Sequence, residues 1–277
     1  MEAGGGTPRA WNGKFVPERG VRVEREGTNA RVAIDRPEVR NAFDPVVIAA
    51  LHETFVHLGA DDGVRSIVLA GAGPTFSGGA DIGWMRDALA LGEDDNVRDA
   101  EAMAAMFRAI DRCPKPVIAR VQGAALGGGG GLVAVADIAV AASDARFGFT
   151  EVKLGLIPAV IAPFVIAKIG ASQARALFVT GRRFDADHAR AIGLVHHVVA
   201  VDALDAEIAR ILAELRTAGQ TAVAAAKHLV ATVARTDDDE IDAFTTRAIA
   251  QQRVSDEGQE GLRAFLERRT PAWADEA

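Results

Sequence analysis

Five consecutive glycines, Gly127 to Gly131, stand between two apolar stretches and restrict what this chain can fold into more than any other feature. Upstream, Pro116-Val-Ile-Ala-Arg-Val121 reads as a short buried strand entered after a proline. Downstream, Leu132 to Ala136 is apolar, lacks turn residues and suits the first turns of a buried helix. The glycines therefore mark a strand-to-helix junction. Without a Cβ, glycine lets a ligand approach the backbone closely and takes unusual φ values at no steric cost. A helix start adds unpaired N–H groups and partial positive charge, a setting suited to negative charge on a ligand or transition state. Flexible glycine linkers are flanked by polar segments, not by buried ones. A phosphate loop is also excluded. No Gly-Lys-Ser/Thr follows, and Leu132 and Val133 fall where G-x-G-x-x-G needs its last glycine.

The rest of the 277 residues suits one large domain with a helical appendage. The net charge of −7 argues against a nucleic-acid-binding surface, so an anionic ligand must be held by local basic residues and backbone N–H groups. A single cysteine, Cys113, rules out an intrachain disulfide and a multi-cysteine metal site, and beside Pro114 it reads as a small buried residue. The N-terminal stretch has no apolar core of a secretory signal, and no apolar run reaches membrane-spanning length. A soluble, cytoplasmic protein without membrane partners is expected.

Residues 1–18 are Gly/Pro-rich and are expected to form a disordered tail. Val21-Arg-Val-Glu-Arg and Ala30-Arg-Val-Ala-Ile alternate around Glu26-Gly-Thr-Asn and predict a hairpin. Asp44 and Pro45 read as the N-cap and first residue of a helix to about Leu58. Strands are predicted over 66–70, 116–121 and 136–142, with a second glycine-rich loop over 71–81 and a helix over about 96–110. Further helices are predicted over 160–169, 172–180, 185–191, 202–216 and 219–234, with a final amphipathic pair over 238–253 and 257–268. The Asp237-Asp-Asp-Glu240 run reads as a solvated helix start. Strand–helix alternation first and helices afterwards give an α/β core over 19–203 and a helical region over 204–277.

The glycine loops at 78–80 and 127–129 each follow a buried strand and could aim a backbone N–H at one point. Two such donors form an oxyanion hole. The acid/base candidate is Glu151, between Phe147-Gly-Phe-Thr150 and an apolar stretch ending in Pro158. A carboxylate in apolar surroundings exchanges protons near neutral pH. A capping glutamate, or an ion pair with Lys153, is the competing reading. His52, His57, His188, His196, His197 and His228 show no metal-ligand spacing, so no metal is expected. His196-His197 reads as structural, at a strand end. Ser77 lies outside a G-x-S-x-G elbow because Thr75 takes the first glycine's place. Asp81 reads as holding its own loop.

Taken together, these segments resemble the crotonase superfamily, the enoyl-CoA hydratase/isomerase family. The resemblance is carried by Phe76-Ser-Gly-Gly-Ala-Asp-Ile82, by Pro114 to Gly123 followed by Ala125-Leu-Gly-Gly-Gly129, and by Phe147 to Pro158. Thr180-Gly-Arg-Arg-Phe-Asp-Ala186 and Phe265-Leu-Glu-Arg-Arg269 extend it, so that it covers about residues 20–272 in order. It implies an α/β spiral of ββα turns and a C-terminal helical region that builds homotrimers, often paired into hexamers. It also implies acyl-CoA thioester substrates with no separate cofactor. It puts the oxyanion-hole N–H groups on Ala80 and Gly128. It assigns CoA binding to the backbone around Arg40, Ala42, Ala80 and Ile82, with Asp81, Trp84, Gly127, Gly131 and Pro158 also at the substrate and Arg268 near a phosphate.

Two-carboxylate hydratases of this family carry a glutamate where this chain has Gly131, so only the carboxylate corresponding to Glu151 is present. One carboxylate can serve hydration or Δ3–Δ2 isomerisation; enoyl-CoA hydration is the leading expectation, isomerisation the second and a non-catalytic acyl-CoA-binding member the third. A carboxylate from the loop after Met85, such as Asp87 or Glu93, is a possible replacement. Trp84-Met-Arg86 and Ile157-Pro-Ala-Val-Ile-Ala-Pro163 are similar to bacterial methylglutaconyl-CoA hydratases, where Arg86 or Lys153 would pair with a distal acyl carboxylate.

Overall fold

The computed structural model describes residues 14–15, 20–235 and 238–275. Of the N-terminal tail, β1 (Lys14–Phe15) pairs antiparallel with β2 (Val21–Glu26), and the remainder lies outside the described residues. The hairpin forms as predicted. β2 and β3 (Asn29–Ile34) pair Val23 with Val32 across a turn at Gly27, whose φ is +59°. Asp44 caps α1 (Pro45–Ala60), accepting the Val47 N–H at 2.9 Å, with Pro45 in the first turn where its missing N–H costs nothing. β4 (Ser66–Gly71) follows, fully buried.

Next comes a helix that apolar periodicity does not announce, α2 (Ile82–Asp87), and then α3 (Glu93–Asp111). β5 (Val117–Val121) and the short β6 (Ala124–Leu126) lead into α4 (Gly128–Val135). The chain continues through β7 (Ile138–Ala142), β8 (Arg146–Gly148) and a single 3₁₀ turn, Glu151–Leu154. The two helices predicted over 160–180 form one element, α5 (Ala162–Thr180), broken at Gly170, whose φ of +76° and ψ of 156° are not helical. β9 (Arg183–Asp185), α6 (Ala186–Ala191) and β10 (His197–Val199) complete the core. α7 (Leu204–Arg216), α8 (Gln220–Val233), α9 (Asp238–Val254), α10 (Asp256–Glu267) and α11 (Ala272–Asp275) form the C-terminal region. α9 starts inside the acidic run as predicted, with Asp237 outside the described residues.

Seven strands form one sheet in the order β1-β2-β3-β4-β5-β7-β10, parallel from β3 onward. β6, β8 and β9 form a second, small sheet. Strand alternation divides the core. Ile67, Leu69, Val117 and Ala119 face α1 residues such as Leu51 and Phe55. Val68, Ile118 and Val140 face Leu204, Ile208 and Ile211 of α7. Full burial of each of the Val, Leu, Ile and Phe side chains contributes about 1.5–3 kcal/mol. Arg65 ties the helical region to the core by donating to the carbonyls of Ala218 at 2.6 Å and Trp273 at 2.8 Å. Among the described residues no helix is long and apolar enough to cross a membrane.

Candidate active site

Three backbone segments are stitched together at the edge of the core. Ser77 donates its N–H to the Ala124 carbonyl at 2.9 Å and accepts from Leu126 at 3.1 Å. Phe43 donates to the Gly79 carbonyl at 2.9 Å, and Asp81 donates to the Phe43 carbonyl at 3.1 Å. These two bonds bracket Ala80, whose own N–H has no acceptor among the described residues. Asn41 locks the outer side of the arrangement. It is fully buried with φ +53°, and its side-chain amide donates to the carbonyls of Ala72 at 2.7 Å and Thr75 at 2.6 Å.

The helix α4 begins inside the glycine run rather than after it. Four consecutive glycines would ordinarily cost a helix about 0.8–1 kcal/mol each relative to alanine. Packing explains them here. A Cβ would stand 2.3 Å from the Phe43 ring at Gly128 and 2.6 Å from the Ser77 carbonyl at Gly129. At Gly130 it would stand 2.8 Å from the Phe149 ring, and at Gly131 2.4 Å from Ile161. The first intrahelical bond runs from the Gly131 N–H to the Gly127 carbonyl, so the Gly128 N–H has no carbonyl four residues back within the helix. The two glycine loops nearly touch: a Cβ on Gly79 would lie 3.5 Å from the Gly128 nitrogen.

Glu151 opens the 3₁₀ turn facing this junction. Gly127, at φ +51° and ψ −121°, has the room it needs only because it lacks a Cβ, which would stand 3.0 Å from Glu151 Oε1. Oε2 is buried and accepts no hydrogen bond among the described residues. The carboxylate forms no ion pair with Lys153. Burial pushes its pKa above the ordinary glutamate value, opposed by a backbone hydrogen bond.

Ala80, Gly127, Gly128 and Glu151 all line one cavity of about 330 Å³. Trp84 and Pro158 line it too, and Met85, Met103 and Ile161 extend its apolar wall. No basic residue is among its described lining residues. A second carboxylate is present that sequence reasoning missed. Asp99 lines the cavity and accepts the Trp84 indole N–H at 3.0 Å, whereas Asp87 and Glu93 do not line it. The readable signal was spacing, because Asn96, Asp99, Ala100 and Met103 fall on one face of α3.

Other predicted site residues stand behind or beside the cavity. The Arg40 carbonyl accepts the Gly78 N–H at 2.8 Å, and Ala42 is buried with its carbonyl accepting from Arg36 at 2.9 Å. Asp81 caps α2, accepting the Gly83 N–H at 2.7 Å, and pairs with Arg36 at 3.1 Å, so it holds its own loop. Ile82 is 72% exposed just outside. Gly131 is buried within α4 and does not line the cavity. Arg268 ends α10 at φ +55°, exposed and away from the lining. His196 is structural, its Nδ1 accepting the Ala139 N–H at 2.9 Å. Arg86 and Lys153 do not line the cavity.

A family model described as enoyl-CoA hydratase/isomerase matches residues 24–276. The chain belongs to the enoyl-CoA hydratase/isomerase family. It is 32% identical over 250 residues to a crotonyl-CoA hydratase of Syntrophomonas wolfei, covering 89% of this chain and 95% of that one. The crystal structure of an enoyl-CoA hydratase from Shewanella pealeana superposes with a TM-score of 0.88 at 37% identity, covering 92% of this chain and 96% of that one. An enoyl-CoA hydratase from Mycobacterium smegmatis gives a TM-score of 0.88 at 34% identity, over 92% and 99% of the two chains. The family's mixed α/β fold, with its helical C-terminal region, is the fold of this chain.

Proposed function

We propose that this family member is an enoyl-CoA hydratase adding water across the 2,3 double bond of an acyl-CoA thioester. The observation that carries the reading is that Ala80 and Gly128, whose backbone N–H groups have no acceptor among the described residues, line one cavity with Glu151, whose Oε2 has no partner there. The donors hold the thioester oxygen as it gains negative charge. Glu151 takes a proton from water as the water oxygen attacks C3, and the electron pair of the double bond passes to the thioester as an enolate. The same carboxyl then gives a proton to C2, so one water is added and the enzyme is unchanged. The backbone around Arg40, Ala42, Ala80 and Ile82 carries the CoA portion, and Arg268, which lies away from the cavity of its own chain, serves a phosphate of CoA bound to a neighbouring subunit.

The lining favours an uncharged acyl chain. A methylglutaconyl group would bring a distal carboxylate into a cavity whose charged lining residues are Glu151 and Asp99, without Arg86 or Lys153 to meet it. A homotrimer, alone or paired into a hexamer, is supported by the exposed Phe265 and Leu266 on α10, 80% and 78% accessible.

Δ3–Δ2 isomerisation is the second reading, favoured by the single carboxylate at the junction, since one base moves a proton between C4 and C2. The deciding experiment is turnover of crotonyl-CoA, 3-methylglutaconyl-CoA and a 3-enoyl-CoA in ¹⁸O-labelled water. Label in a 3-hydroxyacyl product from crotonyl-CoA is the expected result. An unlabelled 2-enoyl product alone establishes the isomerase, and binding without any product establishes a non-catalytic acyl-CoA carrier.

A further inference from the structure

The carboxylate that two-glutamate relatives would place at residue 131 is replaced here by more than a deletion. A Cβ on Gly131 would stand 2.4 Å from Ile161 Cγ2 and 3.0 Å from Cε1 and Cζ of Phe107. Real Cβ atoms do not approach a carbon to 2.4 Å, so a side chain at 131 and the present Ile161 cannot coexist without movement. Ile161 is not free to retreat. It is 3% exposed, and its carbonyl accepts the N–H groups of Phe164 at 3.1 Å and Val165 at 3.0 Å, which fixes its backbone to the first turn of α5. Ile161 lines the cavity holding Glu151, whereas Gly131 does not.

We propose that Ile161 fills the path by which a side chain at residue 131 would reach the acyl cavity, and that this residue restricts the site to a single carboxylate at the glycine junction. In place of a second carboxylate at this position, the acyl chain meets an aliphatic wall. Ile161 is therefore a specificity-determining residue. It commits proton transfer to Glu151 and matches the cavity to an aliphatic acyl group. The catalytic half of the inference rests on the hydratase reading, while the steric half does not.

Two measurements separate these halves. The first is a melting cycle of Gly131→Ala, Ile161→Ala and the double variant. Gly131→Ala in the wild-type background is expected to lower Tm by roughly 5 °C, and to lower it little or not at all once Ile161 is alanine. An equal loss in both backgrounds overturns the proposal and assigns the obstruction to Phe107 or the helix backbone. The second compares Ile161→Ala with Gly131→Glu/Ile161→Ala in the pH profile of crotonyl-CoA hydration. A second ionisation on the acid limb is expected, together with hydration that survives Glu151→Gln in the double-variant background. A folded double variant with an unchanged profile and no such survival overturns access from residue 131. If wild type itself hydrates nothing, the hydratase reading falls and the melting cycle alone decides the proposal.

Discussion

Glu151 carries opposite consequences for stability and for turnover. Its buried carboxyl has a raised pKa, so the native state holds this proton more tightly than the unfolded chain does. Between the ordinary glutamate value of 4.5 and the raised native value, folding binds protons, and the stability contributed by this group falls as pH rises. Glu151→Gln removes that penalty. The variant should melt higher than wild type at pH 8, by roughly 2–4 °C for each kcal/mol recovered, and the gap should close by pH 4. Thermal scans at the two pH values check this. The same shift sets the rate profile. In the proposed hydration Glu151 must be ionised to accept the proton of water, so the acid limb of kcat/KM should lie above pH 4.5 and vanish in the variant. Gly127→Ala tests the residue behind it. A left-handed φ of +51° and a Cβ 3.0 Å from Oε1 should together cost stability and lower hydration at least tenfold, read by Tm and kcat. The upward pKa shift of Glu151 was legible from its apolar flanks. Asp99 was missed, although its spacing with Asn96, Ala100 and Met103 marks it on one face of α3, because the Trp84 indole that meets it lies on another helix.

At the scale of elements, α4 inverts the usual rule for helix glycines. Replacing an interior glycine by alanine ordinarily stabilises a helix by about 0.8–1 kcal/mol. Gly129→Ala should instead destabilise by about 1–3 kcal/mol, because its Cβ would press on the Ser77 carbonyl, which is fixed by the bonds joining the two glycine loops. Urea denaturation gives the sign directly. The strand-to-helix junction was readable from the glycine run and its apolar flanks, but the helix start was not. Propensity places it after the glycines, whereas contact with Phe43, Ser77, Phe149 and Ile161 draws the helix back through them. The hairpin, α1 and its Asp44 cap were legible because their signals are local. α2 was not, because six residues with no buried side chain leave no apolar stripe, and only the Asp81 cap marks its start. β6, β8 and β9 were also missed, since three-residue strands are specified by their partners rather than by their own sequence.

The whole molecule joins an α/β core to a helical region through the apolar packing of α7 on the sheet and through polar ties beyond it. Arg65 spans the two with donations to Ala218 and Trp273, and Arg65→Ala should raise amide exchange selectively over residues 218–233 and 256–275. The exposed Phe265 and Leu266 lead to a prediction about assembly. Wild type should sediment at about three or six times its 29.1 kDa, and a Phe265→Ser/Leu266→Ser pair should shift that mass toward the monomer. The two-part layout was legible in the order of strand and helix signals. The small second sheet was not, and it is this sheet, through β6, that carries the Ser77 bonds placing one glycine loop against the other. Glu151 is the group proposed to carry both protons at that junction. The most direct test of that role is the rate of water addition to crotonyl-CoA by Glu151→Gln, measured beside the affinity of the variant for the same thioester. The expected result is a fall in kcat of about 10²–10⁴, with binding within a factor of a few of wild type. A variant that keeps more than about a tenth of the wild-type rate, a loss far smaller than removal of a general acid–base group produces, would contradict it.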